Sequence, residues 1–124
     1  MFAEVLIEGS EWTLLCLRDD HGRCPVVDFM QELRRTGHPD LRKLLKRVEM
    51  IADTPYMKNE QKFRSLGQGI HEIKAGGLRV AWFFSGERSI VCTHAFLKPN
   101  PKRLQVEIAL ANKFREEYFR DRKD

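Results

Sequence analysis

Apolar residues form two short runs at the start of the chain. Residues 2–7 and 12–17 are mostly apolar, and Gly9 and Ser10 between them have the composition of a turn. Both runs are too short for a stable helix and match the length of strands. They predict a strand over residues 12–17 and an extra strand over residues 1–10 that pairs with it as a hairpin.

Apolar residues with the spacing of helices follow along the chain. From Pro25, apolar residues recur every three or four positions until Gly37, which predicts a first helix with proline at its first position and glycine at its end. After Pro39, the same spacing over residues 41–52 predicts a second helix. The opposite face of this helix is basic and carries Arg42, Lys43, Lys46 and Arg47.

The spacing of apolar residues changes again in the second half of the chain. Residues 54–69 are polar and predict a basic loop that includes Lys62 and Arg64. Residues 70–74, 78–85 and 89–97 are rich in strand-forming residues, and the segments between them are short and contain glycine. This pattern predicts three consecutive antiparallel strands.

A last helix is predicted after Asn100, a cap residue, and Pro101, a first helical residue. Its charged end, residues 120–124, is expected to fray because it has nothing to bury. The elements predict one α+β domain over residues 1–124. A small antiparallel or mixed sheet would carry two N-terminal helices and a C-terminal helix on one face, leaving the other face partly open to a ligand.

Composition narrows the classes of function. The chain has 124 residues, enough for one core, with 22 Lys and Arg against 18 Asp and Glu. This modest positive excess suits a polyanionic partner without requiring one. No apolar run approaches the ~20 residues of a membrane span, and a secretory signal pattern is absent, so we expect a cytoplasmic protein. Cys16, Cys24 and Cys92 lack zinc-binding spacing and are expected to be buried thiols.

Positive side chains occur on all three predicted meander strands. Arg79 begins an otherwise apolar strand, Glu72 and Lys74 share a face of the strand before it, and alternation assigns one face of the strand after it to Cys92, His94, Phe96 and Lys98. Lys62, Arg64, Lys102 and Arg103 adjoin these strands. Such a cluster suits phosphodiester cleavage without a metal, because the transition state gathers negative charge on the nonbridging oxygens.

Simpler interpretations of the same residues remain open. An Arg at the end of a strand commonly reaches water or pairs with an acid, and a basic rim can merely bind an acidic partner. His94 is expected to be a satisfied core residue, whereas His71 is expected beside the site, where it could transfer protons. Phosphate-loop and metal-binding motifs are absent from the sequence, so we expect neither a metal nor a cofactor.

The chain resembles the RelE/ParE toxin superfamily, and most closely its phage-derived, HigB-like branch. The resemblance rests on LGQGIHEIK (residues 66–74), LRVAWFF (78–84), HAFLK (94–98), VEIALA (106–111) and the helix entry GRCPVVDF (22–29). It implies a microbial-ribonuclease-like α+β fold and toxicity through mRNA cleavage on the ribosome. It also implies neutralisation by an antitoxin, commonly a helix-turn-helix protein.

Carried onto this chain, the resemblance assigns catalytic roles to three residues. Arg79 would stabilise the scissile phosphate, Lys74 would help activate the ribose 2′-hydroxyl, and Lys98 would hold phosphate or assist the leaving oxygen. Lys62, Arg64, His71, Lys102 and Arg103 would bind RNA. Two features depart from the branch: Pro99 replaces a second Lys, and no aromatic residue near the carboxyl end is clearly free to stack on a base. Two alternatives therefore stay open, a ParE-like inhibitor of DNA gyrase and a degenerate binding-only module.

Overall fold

A single mixed sheet organises the part of the chain that this computed structural model describes, residues 1–55, 63–86 and 88–122. The elements are β1 (Phe2–Glu8), β2 (Thr13–Arg18), α1 (Pro25–Thr36), α2 (Leu41–Ala52), β3 (Phe63–Gly67), β4 (Ile70–Ala75), β5 (Leu78–Phe84), β6 (Ser89–Leu97) and α3 (Pro101–Asp121). The strand order is β1-β2-β6-β5-β4-β3. β2 and β6 run parallel, and the other neighbours run antiparallel. The α+β class and the mixed sheet are as predicted.

The predicted hairpin and helices are confirmed. β1 pairs antiparallel with β2, from Phe2 opposite Arg18 to Glu8 opposite Thr13. α1 begins at Pro25 and ends at Gly37, which has a left-handed φ of 69°. The backbone N–H of His38 donates to the carbonyl of Leu33 at 2.9 Å, so the glycine cap satisfies carbonyls of the last turn.

The helices lie on both faces of the sheet, which corrects the expectation that they share one face. Val80 and Trp82 pack in the core cluster that contains the buried side chains of α1 and α2. Ala81 and Phe83 pack in a second cluster with Tyr118 of α3. Because β5 carries apolar residues on both faces, each face must pack against helices to be shielded from water. We call the face under α3 the α3 face.

The predicted basic loop ends in a strand. β3 pairs antiparallel with β4, with Arg64 opposite Glu72 and Ser65 opposite His71. A turn at Gln68, whose φ is 56°, returns the chain into β4. The polar residues of β3 suit a strand at the edge of the sheet, where one side chain face meets water. The rest of the predicted loop, residues 56–62, lies outside the described residues.

The end of α3 is ordered beyond the point where fraying was expected. The helix continues to Asp121, and the Arg122 guanidinium donates to Tyr118 Oη at 2.6 Å and to Ser85 Oγ at 3.1 Å. These contacts anchor residues 120–122 to the sheet, because Ser85 directly follows β5. Residues 123 and 124 lie outside the described part of the chain.

The three cysteines are buried free thiols, as predicted. Within the described residues, the helices are too short or too polar to cross a lipid bilayer.

Candidate functional site

Two of the three residues assigned catalytic roles face each other across β4 and β5. Lys74 pairs with Arg79, and Arg79 pairs on its other side with Phe96 of β6. Residues opposite each other in neighbouring strands point to the same face, so these three side chains lie in a row on the α3 face. Lys98 follows two residues after Phe96, and its backbone N–H donates to the carbonyl of Gly77 at 2.8 Å. The structure thus brings Lys74, Arg79 and Lys98 to one end of the sheet.

Arg79 is held firmly by its surroundings. Its side chain is buried, with 6% of the residue exposed. Nη1 donates to the carbonyls of Gly76 at 2.7 Å and Leu78 at 2.8 Å, and Nε lies 3.9 Å from Oε1 of Glu72. Burial lowers the pKa of Arg79, and the nearby Glu72 carboxylate partly offsets this effect. The guanidinium nevertheless stays charged, because its ordinary pKa lies far above neutral pH.

Glu72 is the buried acid beside this arginine. Only 1% of it is exposed, and its Oε1 lies 3.0 Å from Nη2 of Arg64, directly across β3 and β4. Within the described structure, neither carboxylate oxygen makes a contact with hydrogen-bond geometry. The sequence showed only that Glu72 shares a face with Lys74. Its position two residues after Ile70, on the same face of an otherwise largely apolar strand, is the signal that could have marked it as buried.

A second buried acid joins β6 to α3. His94 Nε2 lies 3.3 Å from Oε2 of Glu107, and His94 Nδ1 lies 3.0 Å from the Thr93 hydroxyl. Oε1 of Glu107 lies 3.2 Å from Nη2 of Arg103. The prediction that His94 is a satisfied core residue is confirmed. Sequence reasoning missed Glu107, although an acidic residue within the apolar VEIALA segment and four positions after Arg103 was available as a signal.

An open cleft adjoins this pair. Its volume is about 530 Å³, and it is lined by His94 and Phe96. A separate cleft near Tyr118 is smaller, at about 390 Å³. Lys98 and Arg103 line the larger cleft, together with Pro99 in the position where a second lysine was expected. The cleft therefore has basic side chains at its rim and an aromatic ring in its wall.

The first turn of α3 supplies two of the residues assigned to RNA binding. Lys102 is exposed, and 64% of the Arg103 side chain is exposed. The side chain of Asn100 caps the helix by accepting a hydrogen bond from the Arg103 backbone N–H at 2.7 Å. Arg64 is partly exposed on the neighbouring edge strand. Lys62 falls outside the described residues.

His71 is not brought to this group. It pairs with Trp82 across β4 and β5 and stacks on its indole ring, with 4.5 Å between the ring centroids. Trp82 packs on the face that α1 and α2 cover. The structure therefore separates His71 from Arg79 by the thickness of the sheet. Burial lowers the pKa of His71.

The predicted shared face of Cys92 and His94 is also wrong. In the β5–β6 pairing, Ala81 is opposite His94 but Trp82 is opposite Cys92, so Thr93 is an extra residue on β6. Such a bulge reverses the alternation of side chains along the strand. Cys92 consequently packs beneath α1 and α2, whereas Phe96 packs on the α3 face.

Chemically, these residues combine the buried guanidinium of Arg79 with the exposed amino groups of Lys98 and Lys102. Arg79 presents a charge whose position is set by the β4–β5 turn, while Lys98 and Lys102 are exposed and free to follow a ligand. A phosphodiester needs both, since a planar guanidinium grips its oxygens and ammonium groups can carry protons.

Residues 27–116, well over half of the chain, match the family described as phage derived protein Gp49-like (DUF891). The matched segment includes Lys74, Arg79 and Lys98. No curated protein matches the sequence.

Proposed function

The chain belongs to the Gp49-like family of phage-derived proteins, a RelE-like family associated with toxin–antitoxin systems, and we propose that it is a toxin that cleaves translated mRNA on the ribosome. Within that family its motifs resemble the HigB-like branch. Its partners would be the ribosome with bound mRNA and an antitoxin of the helix-turn-helix type, and it would act in the cytoplasm.

One observation carries this proposal: Lys74 and Arg79 are directly opposite each other across β4 and β5, and Lys98 adjoins the same end of the sheet. A phosphodiester can contact a guanidinium and two lysine side chains only if they share one surface. The pairing of Lys74 with Arg79 and the backbone hydrogen bond from Lys98 to Gly77 support such an arrangement.

The proposed reaction is transfer of the phosphoryl group within the RNA. Lys74, as the neutral amine, accepts the proton of the ribose 2′-hydroxyl and becomes an ammonium as the 2′-oxygen forms a bond to phosphorus. Arg79 stabilises the added charge on the nonbridging oxygens. Lys98 gives a proton to the 5′-oxygen as the bond between that oxygen and phosphorus breaks. The products are a 2′,3′-cyclic phosphate and a 5′-hydroxyl.

The remaining basic residues would bind the RNA backbone. Arg64 lies beside Glu72, and Arg103 lines the same cleft as Lys98. These exposed cations and Lys102, in the first turn of α3, would offer sequence-independent attraction to phosphates. Lys62 keeps its proposed RNA-binding role from the sequence alone. His71 stacks on Trp82 on the face of the sheet opposite Arg79, and this position gives no support for contact with the same RNA segment.

The decisive experiment is induction of the protein in a sensitive bacterial host, followed by primer-extension mapping of translated transcripts. We expect new 5′ ends within the coding regions of translated mRNA. Lys74→Ala and Lys98→Ala should each reduce cleavage by about 100-fold, the scale typical of a lost acid–base group. Lys46→Ala, on the exposed face of α2, is the matched control and should cleave normally.

Arg79→Ala alone would be a poor test, because it removes one of the two cations beside the buried carboxylate of Glu72 and can unfold the domain. Arg79→Lys keeps the charge and loses the planar grip, so it should lower cleavage while retaining the fold. Intact transcripts during growth arrest would contradict the proposal. A block of DNA supercoiling by the purified protein would then favour a gyrase inhibitor.

A binding-only module is the second candidate, and the burial of Arg79 is the observation that favours it. Nη1 of Arg79 already donates to the carbonyls of Gly76 and Leu78, so part of the guanidinium stabilises the β4–β5 turn. Pro99 also removes a lysine that the resembling branch has. This candidate predicts that overproduction of the protein leaves growth and transcripts unchanged.

A further inference from the structure

We infer that Glu72 is a positioning residue that holds Arg64 and Arg79 in place for the RNA phosphate. This inference rests on the proposed function and names a residue to which the sequence assigned no role. Its basis is the chain of three side chains, Arg64, Glu72 and Arg79, that crosses three neighbouring strands.

The register brings these side chains together. Arg64 is opposite Glu72 across β3 and β4, and Arg79 is opposite Lys74, two residues further along β4. Glu72 therefore meets one arginine directly and the other diagonally, and both contacts lie within the reach of long side chains. The separations from Glu72 Oε1 are 3.0 Å to Arg64 Nη2 and 3.9 Å to Arg79 Nε.

The burial of Glu72 indicates a role for its charge. A carboxylate that is 1% exposed and has no contact of hydrogen-bond geometry in the described structure is expensive to hold unless cations compensate it. The two arginines are the cations that do so. A glutamine of nearly the same shape would fill the same space without this cost, so packing alone does not require a carboxylate here.

Arg79 is the arginine whose orientation depends most on Glu72. Nη1 of Arg79 is fixed by Gly76 and Leu78, and the attraction of Glu72 to Nε sets the rotation of the guanidinium plane. The orientation of that plane decides where the remaining Nη2 group can meet a phosphate oxygen. Glu72 itself is too buried to touch the RNA, so it acts through the arginine.

The test compares Glu72→Gln with Glu72→Asp. Glutamine keeps the shape and removes the charge, whereas aspartate keeps the charge and shortens the side chain. If charge holds the arginines, kcat for cleavage falls by about 100-fold in Glu72→Gln, the scale of a small misplacement, and falls less in Glu72→Asp. KM should change little in either variant, because the exposed cations still bind RNA.

A merely structural role reverses that order, since glutamine packs better than aspartate in the same space. Equal or greater activity in Glu72→Gln than in Glu72→Asp would overturn the inference. Glu32→Gln, which removes a carboxylate paired with Arg35 on the exposed surface of α1, is the charge-matched control and should be unaffected. Thermal unfolding of every variant identifies any loss of fold.

RNA binding by the wild type separates failure of the proposed function from failure of the role given to Glu72. A 2′-O-methyl RNA oligonucleotide cannot be cleaved by attack of a 2′-hydroxyl. Its binding is measured by fluorescence anisotropy for the wild type, Glu72→Gln, Glu72→Asp and Glu32→Gln. A wild-type protein that neither cleaves translated mRNA nor binds this RNA would overturn the proposed function and this inference with it. A wild-type protein that does both, with Glu72→Gln unchanged, would overturn the inference alone.

Discussion

His94 Nε2 lies 3.3 Å from Glu107 Oε2, and this buried contact joins β6 to the second turn of α3. Glu107 also pairs with the more exposed Arg103, which lines the open cleft. The contact therefore connects the core under α3 with a surface residue of the candidate site. Because His94 is buried at this contact, we expect the stability of the domain to depend on pH.

The first prediction concerns that sensitivity. Burial lowers the pKa of His94 below its ordinary value of 6.5, and the attraction of Glu107 only partly offsets the effect. Below pH 6.5 the unfolded chain then binds a proton that the folded protein resists, so the free energy of unfolding falls as the pH falls and is fully retained above pH 6.5. We expect His94→Gln to show a weaker decline, measured by urea unfolding between pH 5 and 8.

His71 provides the comparison for this prediction. Burial lowers its pKa too, so part of the decline should persist in His94→Gln and disappear only in the double variant with His71→Gln. An identical decline in the wild type and in His94→Gln would contradict the role given to His94.

The second prediction concerns the cap of α3. Asn100 Oδ1 accepts a hydrogen bond from the Arg103 N–H at 2.7 Å, satisfying one of the free donors at the start of the helix. Asn100→Ala should lower the free energy of unfolding by about 1 kcal/mol, measured from urea unfolding curves. Asn100→Asp keeps an acceptor at the same position and should be close to the wild type. Equal losses in both variants would show that the cap is not the cause.

The third prediction concerns a close approach between the β1–β2 turn and α2. A Cβ at Gly9 would lie 2.3 Å from the carbonyl oxygen of Ala52, which already accepts hydrogen bonds from the N–H groups of Glu11 and Trp12 at 2.9 Å. Gly9→Ala must shift the turn, and we expect it to destabilise the fold by about 1–3 kcal/mol.

Gly77→Ala is the control for this substitution. Its added Cβ would meet only Asp40 Oδ2, at an ordinary contact distance of 3.6 Å. The free energy of unfolding of Gly77→Ala should stay within about 0.5 kcal/mol of the wild type. Similar values for the two variants in the same denaturation assay would argue against the close approach at Gly9.

The fourth prediction concerns the salt dependence of RNA binding. Each phosphate contact by a cation releases counterions, so the affinity for single-stranded RNA falls with salt. Lys98→Ala should weaken binding of the noncleavable RNA and reduce the slope of log affinity against log salt by about 0.7, the value for one contact. Lys46→Ala should keep the wild-type slope. A slope that is unchanged in Lys98→Ala would remove Lys98 from the RNA-binding surface.

Local signals explain why the helices were predicted so closely. Pro25 and Gly37 mark the two ends of α1, and the apolar spacing of residues 41–52 matches the observed bounds of α2. Asn100 and Pro101 mark the start of α3 in the same way. These features act through the backbone of their own segment, so they can be read without knowledge of the rest of the fold.

Sheet alternation was less informative because it depends on register. One extra residue at Thr93 moved Cys92 to the face opposite His94, and nothing in the local sequence announces that bulge. The position of β3 at the edge of the sheet and the packing of α3 on the second face likewise depend on contacts between distant segments.

The sequence by itself determined the order and type of most elements, the free cysteines and the strand ends at which Lys74, Arg79 and Lys98 occur. Only the tertiary structure decided that Glu72 is buried between two arginines, that Glu107 meets His94, and that His71 lies on the other face. Periodicity and capping are properties of neighbouring residues, whereas the surroundings of a charged side chain depend on strand pairing and helix packing between residues far apart in the chain.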